Sequence, residues 1–283
     1  MAEIRQKTIR DEISFSGKGL QTGAQVSVVC RPAGEGSGIV FLRTDTENSV
    51  PIRVNDGIFS VSEKRRSTIG MGPHSVQTIE HLMAALWALE IDNVQIDING
   101  AELPALDGSA KGFLDILGAA GISEQNAPRH IVKITEKEEV SDGKASITIL
   151  PNESFKVSYS IDYAISSIPR ETFTITLDNN SFIKEIAPAR TFCLKQEAEQ
   201  LLKAGLGKGA DCENTLVMDE TGPVGTVLRF PNEPLRHKIL DLVGDMYMLG
   251  RPIMGEIIAE RSGHALNALM AEKLFQKYVR NRS

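Results

Sequence analysis

The sequence predicts an α+β protein built from two similar halves. In each half, short strands with alternating apolar residues precede an apolar helix, a further strand and a second helix. The same interval of 28 residues separates Glu80 from Gly108 in the first half and Arg236 from His264 in the second. The length of 283 residues is sufficient for two ordinary domains. Together these observations predict a duplicated arrangement.

The first half, residues 1–126, begins with strands and contains two helices. A helix over Glu80–Leu89 is apolar nearly all round, which predicts burial, and Thr78 is placed to cap its start. A second helix is predicted from Ser109 to Leu117. Alternating apolar and polar residues between turns predict strands over Thr8–Ile9, Ile13–Phe15, Val26–Cys30, Ile39–Leu42 and Val94–Ile98.

The second half, residues 127–283, follows a polar stretch that ends at Pro128. Its predicted strands are Ile131–Ile134, Ala145–Leu150, Phe155–Ile161, Thr172–Leu177 and Ile253–Ala259. Its predicted helices are Lys195–Ala204, His237–Leu249 and His264–Tyr278. The glycine-rich segment Gly205–Gly209 lacks the spacing of a nucleotide-binding loop, so we interpret it as a flexible loop of the active site or a linker.

Composition and charge exclude several classes of protein. The net charge of −6 gives no basic footprint, so no nucleic-acid partner is expected. No apolar run approaches the roughly 20 residues of a transmembrane helix, and the first residues lack the apolar core of a secretory signal. Three cysteines without metal-type spacing fit a reducing compartment. We therefore expect a cytoplasmic protein without a transmembrane segment.

One predicted helix carries an unusual polar stripe. His237, Asp241 and Asp245 follow one another at intervals of four residues, so they share one face, while most of the remaining surface is apolar. Buried carboxylates cost several kcal/mol each unless they are paired or bind a metal. The stripe therefore predicts a metal site or a buried ionic network.

A zinc site follows when the two apolar helices are considered together. A catalytic zinc takes three protein ligands and leaves a place for water. His237 and Asp241 would supply a pair from one helix, and His81 a third ligand from the other, beside Glu80 as general base. Each feature alone is weak, because an i, i+4 His–Asp pair is also a common surface ion pair. Their joint occurrence favours a zinc hydrolase over a non-catalytic lipid- or sugar-binding protein, but leaves a zinc peptidase or another amidohydrolase open.

Longer motifs give the chain a specific resemblance. It resembles the UDP-3-O-acyl-N-acetylglucosamine deacetylases, zinc amidohydrolases of lipid A biosynthesis in Gram-negative bacteria. The resemblance runs over essentially the whole chain and rests on segments at Gly17–Leu20, Asp92–Asn93, Leu103–Ala110, Thr78–Leu86, Ala189–Phe192, Leu228–Phe230, Arg236–Asp245 and Ser262–Asn267.

The resemblance implies a fold and an activity. Two domains of similar topology would each contain a sheet and helices, with the helix layers packed between the two sheets. Small inserts would lie near 44–70 and, as a βαβ unit, near 160–190, the second helping to form an apolar passage for the acyl chain. The implied reaction converts UDP-3-O-acyl-N-acetylglucosamine to acetate and UDP-3-O-acyl-glucosamine, and a monomer is expected.

The resemblance also implies roles for individual residues. The zinc (Zn2+) ligands would be His81, His237 and Asp241. The groups acting on the amide would be Glu80 as general base, His264 as general acid, Asp245 as the carboxylate that orients His264, and Lys238 and Thr191 as stabilisers of the oxyanion. The substrate-binding residues would be Phe192, Leu20 and, for the diphosphate, Arg261. The chain departs from the family at Gln21, where histidine is usual, and in the loop 209–214, where contacts with the substrate would differ. It also departs in the insert at 164–167, so we make no prediction of acyl-chain preference.

Overall fold

The computed structural model describes residues 4–56, 59–60 and 66–280 and confirms the predicted α+β class. In these residues the strands are, in chain order, β1 (Arg5–Ile9), β2 (Ile13–Lys18), β3 (Gln25–Pro32), β4 (Ile39–Arg43), β5 (Ile52–Arg53), β6 (Phe59–Ser60), β7 (Thr68–Ile69), β8 (Val76–Gln77), β9 (Val94–Ile98), β10 (Ile122–Pro128), β11 (Val132–Lys133), β12 (Glu138–Ser141), β13 (Ser146–Leu150), β14 (Phe155–Ile161), β15 (Glu171–Leu177), β16 (Thr191–Leu194), β17 (Thr215–Asp219), β18 (Gly222–Pro223) and β19 (Ile253–Glu260).

The helices of the same residues are α1 (Glu80–Ala88), α2 (Lys111–Ala119), α3 (Asn179–Glu185), α4 (Lys195–Lys203), α5 (Glu233–Tyr247) and α6 (His264–Leu274). Short helical turns occur at Val54–Asp56, Gly72–His74 and Phe275–Val279. None of the described helices is long and apolar enough to cross a membrane.

The two main sheets repeat one topology. The first has the order β2-β3-β9-β4-β5, and the second has β12-β13-β19-β14-β15 with β11 added beside β19. In both, the third and fourth strands of this order are parallel and the other neighbours are antiparallel. Alternate side chains of these strands are buried, as the period of two requires for a sheet covered on one face. The duplication suggested by the 28-residue interval is thus visible in the strand order. The placement of the helix layers between the sheets stays a prediction.

Smaller sheets alter two details of the predicted organisation. The polar stretch at the proposed division of the halves forms β10, which pairs antiparallel with β1. The parallel strands β16 and β17 are joined by α4, so a βαβ unit spans 191–219. The range 160–190, where this unit was predicted, instead holds β15 and α3. Of the predicted insert near 44–70, residues 57–58 and 61–65 lie outside the described residues.

Helices α1 and α5 lie in direct contact at the centre of the protein. Every residue of α1 is buried, as is nearly all of α5. The backbones meet at Gly244, where a Cβ atom would stand only 2.0 Å from the carbonyl oxygen of Glu80. Only glycine permits this approach, which holds the start of α1 against the polar stripe of α5.

We expect Gly244→Ala to destabilise the protein and reduce its activity, because the added methyl group must push α1 away from α5. Overpacking of this kind typically costs about 1–3 kcal/mol, measurable as a lower midpoint of denaturant unfolding. Gly118→Ala is the matched control. A Cβ atom at this position in α2 would meet nothing within 4 Å, so the gain in helix propensity should leave stability unchanged or higher. Equal stability of both variants would contradict the proposed role of the contact.

The predicted start of α1 at Glu80 is confirmed, whereas its predicted cap and the predicted start of α5 were wrong. Thr78 does not cap α1, whose N-cap position is Ile79 without a side-chain cap. The hydroxyl of Thr78 instead donates to buried Glu102 at 3.0 Å, and its φ of +58° is strained for a β-branched residue. Helix α5 begins at Glu233 rather than at His237, because Pro234 in its first turn suits a helix start.

Candidate metal centre and active site

Three potential metal ligands converge where α1 and α5 meet. His81 on α1 and His237 and Asp241 on α5 are buried, and one ligand atom from each lies within 4.8 Å of the other two. Nε2 of His237 is 3.2 Å from Oδ1 of Asp241, and Nε2 of His81 is 3.7 Å from the same oxygen. The spacing of four residues brings the α5 pair together, and the close contact at Gly244 brings His81 to it.

The hydrogen bonds around this cluster suit a cation. Nδ1 of His237 lies 3.0 Å from the carbonyl oxygen of Ala189. Since a carbonyl only accepts, the ring holds its proton there and leaves the lone pair of Nε2 for a metal. Burial lowers the pKa of His81, which favours the neutral imidazole. Oδ1 of Asp241 is buried and has no hydrogen-bond partner among the described residues. An unpaired buried carboxylate oxygen beside two imidazole nitrogens fits a bound cation, and this donor set suits zinc.

Lys238 holds the second oxygen of Asp241. Its Nζ atom donates to Oδ2 at 2.8 Å. Burial would lower the pKa of Lys238, but the carboxylate of Asp241, together with Tyr159 and Tyr163, outweighs burial and raises that pKa above the usual range. Burial would raise the pKa of Asp241, but neighbouring His237 and Lys238 outweigh it and hold that pKa well below the usual range. The lysine is therefore a fixed positive charge beside the cluster.

Glu80 and His264 face each other next to the same cluster. Nε2 of His264 is 3.8 Å from Oε1 of Glu80, and its Nδ1 is 2.9 Å from Oδ2 of Asp245. Burial raises the pKa of Glu80 to about 7. Burial acts to lower the pKa of His264, but the carboxylates of Asp245 and Glu80 outweigh it and raise the pKa to about 9. A carboxylate that can accept a proton near neutral pH therefore stands beside an imidazolium that can donate one.

Thr191 and Phe192 lie at the start of β16, against the other side of His237. The backbone N–H of Thr191 donates to the carbonyl of Gly108 at 2.8 Å, which ties this strand to the first half. The ring of Phe192 lies 6.4 Å from that of His237 and 5.4 Å from that of Tyr163, both edge-on. Strand β16 thus places the ring of Phe192 beside His237, and Thr191 lines the same cavity.

A cavity of about 740 Å³ includes the cluster and almost all the predicted site residues. Leu20 is buried in its wall, whereas Arg261 is exposed at its edge, with its guanidinium donating to the carbonyl of Lys144. Asp245 is not part of the wall but lies behind His264. The apolar residues that line the cavity include Tyr163, Phe192, Ala198, Leu201, Leu202 and Val217.

The glycine-rich segment also borders this cavity, which favours the interpretation as a loop of the site. Oε1 of Gln21 accepts a hydrogen bond from the N–H of Gly207 at 3.2 Å, and the carbonyl of Leu20 accepts one from Gly209 at 3.0 Å. The N–H of Gln21 donates to Glu102 at 2.8 Å. Gln21, where the chain departs from the resembled family, therefore attaches this loop to the first half.

Several residues of the site were missed by the sequence patterns. Glu233 is fully buried one helical turn before His237 and accepts hydrogen bonds from the backbone and side chain of Arg190, both at 2.9 Å. It continues the four-residue spacing of the stripe, so the pattern contained a signal for it. Asn267 donates to Asp245 at 2.7 Å. Ser67, which contacts both Glu80 and Asp245, lies outside any periodic segment and gave no signal.

Comparison of the sequence with known proteins shows that the chain is similar to deacetylases. Residues 6–276 match the family model described as LpxC, UDP-3-O-acyl N-acetylglycosamine deacetylase. The chain is similar to proteins named UDP-3-O-acyl-N-acetylglucosamine deacetylase in three bacteria. It is 40% identical to that of Acidithiobacillus ferrooxidans over 93% of this chain and 88% of the relative. The identity is 39% with that of Myxococcus xanthus, over 96% and 87%, and 36% with that of Coxiella burnetii, over 96% and 90%.

Proposed function

The chain belongs to the UDP-3-O-acyl N-acetylglycosamine deacetylase family, and from this membership we propose that it removes the N-acetyl group of UDP-3-O-acyl-N-acetylglucosamine in lipid A biosynthesis. The products are acetate and UDP-3-O-acyl-glucosamine. The observation that carries the proposal is the cluster of His81, His237 and Asp241, which meets Glu80 and His264 in one cavity.

The donor set of the cluster supports zinc as the cofactor. His81, His237 and Asp241 would hold the ion, and the unpaired oxygen of Asp241 would gain a partner. Bound there, zinc supplies Lewis acidity towards water and the amide carbonyl. The described residues supply three ligands in this cluster, one fewer than a closed structural site contains, which favours a catalytic role.

Two of the remaining polar residues carry out the proton transfers of amide hydrolysis, and two others stabilise the charge that develops. Glu80 takes a proton from a water molecule while the oxygen of that water forms a bond to the carbonyl carbon of the amide. His264, held through Nδ1 by Asp245, gives a proton from Nε2 to the amide nitrogen as the carbon–nitrogen bond breaks. The ammonium of Lys238 and the hydroxyl of Thr191 stabilise the negative oxygen of the tetrahedral intermediate. The amine and acetate then leave.

The shape of the cavity supports a substrate with an acyl chain. The cavity is lined in part by the apolar residues Phe192, Leu202 and Val217, which we propose form a passage for the chain. Burial of methylene groups there would contribute about 0.8 kcal/mol each. Leu20 contacts the substrate near the passage, and Arg261 at the edge of the cavity binds the diphosphate through charge-assisted hydrogen bonds.

Three free cysteines support action in the cytoplasm. We propose that the protein acts as a monomer.

A zinc amidohydrolase or peptidase acting on a different amide is the second candidate. The same catalytic groups could cleave another amide, but the apolar passage is not required for peptide hydrolysis. Cleavage of peptides without deacetylation of the sugar would favour this alternative. Binding of the acylated sugar without any hydrolysis would favour the non-catalytic one.

We expect acetate release from UDP-3-O-acyl-N-acetylglucosamine to stop after chelation and to return when zinc is added back. His81→Ala removes one of three ligands, so its zinc content at equal free metal should fall below that of the wild type, together with its turnover. Turnover would be measured by acetate quantification and metal content by elemental analysis. Activity that survives both chelation and His81→Ala would contradict the metal mechanism.

A further inference from the structure

We propose that Ser67 is a positioning residue that fixes the general base and the general acid relative to each other. This inference rests on the proposed function and extends it to a residue outside the predicted site. Ser67 is buried, with 5% of its surface exposed, and lies directly before β7. Its carbonyl accepts a hydrogen bond from Thr78 at 2.8 Å, which fixes it next to the start of α1.

The backbone of Ser67 orients the general base. Its N–H donates to Oε2 of Glu80 at 3.1 Å. Oε1 of the same carboxylate is thereby left facing Nε2 of His264 at 3.8 Å. One oxygen of Glu80 is thus anchored, and the other is directed at the space where the amide reacts.

The hydroxyl of Ser67 orients the general acid through Asp245. It donates to Oδ1 of Asp245, because an ionised carboxylate only accepts. The other oxygen of Asp245 accepts from Nδ1 of His264 at 2.9 Å and from Asn267 at 2.7 Å. The oxygen of Ser67 also lies 3.3 Å from Nδ1 of His264. With the proton of the neutral ring held on Nδ1, Nε2 is the atom that exchanges a proton with the substrate.

Ser67 therefore joins the two halves of the site. Glu80 belongs to α1 of the first half, whereas Asp245 and His264 belong to α5 and α6 of the second. A single residue that bonds to both carboxylates fixes the separation of the base and the acid. Errors of about 1 Å in such a separation cost large factors in rate.

Ser67→Ala tests the hydroxyl while keeping the backbone bond to Glu80. Because this hydrogen bond is made to a charged group, kcat should fall on the order of 10- to 100-fold, with KM and zinc content near the wild-type values. Ser67→Thr keeps a hydroxyl and should recover part of the loss. Ser154→Ala is the control, because it removes a hydroxyl that donates to Asn152 at 2.9 Å in the β13–β14 turn, away from the cavity.

Two further readouts separate positioning from general damage. In an Asp245→Asn background, Ser67→Ala should cost much less in kcat than in the wild type, because its partner is already altered. At a pH above the His264 pKa of about 9, where the ring is neutral, ¹⁵N NMR of the zinc-loaded protein should show the ring proton on Nδ1 in the wild type and a tautomer mixture in Ser67→Ala. Unchanged kcat and ring signals in Ser67→Ala, or an equal loss in both backgrounds, would overturn the proposal. The NMR result does not depend on turnover, so it distinguishes this failure from failure of the proposed reaction.

Discussion

Replacing Glu80 by glutamine is expected to lower kcat by on the order of 10²- to 10⁴-fold, the usual contribution of a general base. The substitution keeps the size of the side chain and its hydrogen bond from Ser67, but an amide cannot accept the proton of the attacking water. The metal ligands are not altered, so zinc content should remain near that of the wild type. Acetate release under saturating substrate and elemental analysis of the same sample measure the two quantities.

The stability of this variant provides an independent check. Burial raises the pKa of Glu80 to about 7, so folding disfavours its ionised form and costs stability above the ordinary pKa of a glutamate. The metal-free Glu80→Gln protein should therefore resist denaturant at pH 8 at least as well as the metal-free wild type. Glu90→Gln, two residues beyond the opposite end of α1, is the control, since it weakens bonds to Lys7 and Arg129 and should retain turnover. Turnover within a few fold of wild type in Glu80→Gln would exclude this residue as the base.

Features of the fold and the site could be predicted from the sequence where a local pattern of residues determines whether a segment is buried and which residues are neighbours. The apolar circumference of 80–89 and the polar stripe of 237–245 predicted buried helices, and both helices are buried in the structure. The stripe also predicted that His237 and Asp241 would lie together, because a spacing of four residues fixes neighbours on a helix. That His81 would join them depended on the matching order of the two halves and on the family resemblance, and the close contact at Gly244 provides its physical reason.

Other features were not predictable because long-range contacts determine them. Threonine is a residue type that often caps helices, but the hydroxyl of Thr78 donates its hydrogen bond to buried Glu102, which lies 24 positions further along the chain. Strands β16 and β17 are short and separated by α4 and a glycine-rich loop, so their parallel pairing leaves no periodic signal. Ser67 lies 178 residues from Asp245 in sequence, and an isolated serine in a polar stretch gives no indication of such a partner.

The duplicated topology explains why the site lies between the halves. Each half contributes one buried helix after equivalent strands, and the contact of α1 with α5 places the polar ends of both at one point. Glu80 and His81 enter from the first half, and the stripe from His237 to Asp245 enters from the second. A site built this way requires tight packing of the two helices, which is why Gly244 belongs to its architecture although it has no functional group.

His264→Ala is expected to reduce kcat on the order of 10²- to 10⁴-fold while zinc stays bound. Its Nε2 faces Glu80 at 3.8 Å, and its Nδ1 is bound by Asp245 at 2.9 Å. Without this imidazole the leaving nitrogen must depart without a proton, which is unfavourable for an amine. The measurement is kcat together with metal content. Loss of zinc in this variant would mean that His264 is a ligand rather than the acid. His130→Ala, which removes an exposed histidine, should leave both quantities unchanged.

Asp245→Asn identifies the acid through the pH dependence of the reaction. Burial acts to lower the pKa of His264, and Asp245 is the largest of the opposing influences that raise it to about 9. Removing that charge should lower the pKa of His264. A general acid works only while protonated, so activity should be lost at lower pH than in the wild type as the solution becomes alkaline. A loss of kcat with an unshifted alkaline limb would show that Asp245 supports the structure without controlling the proton of His264. A shift confined to the alkaline limb of the pH–activity profile would show that the imidazole of His264 supplies the proton to the leaving nitrogen.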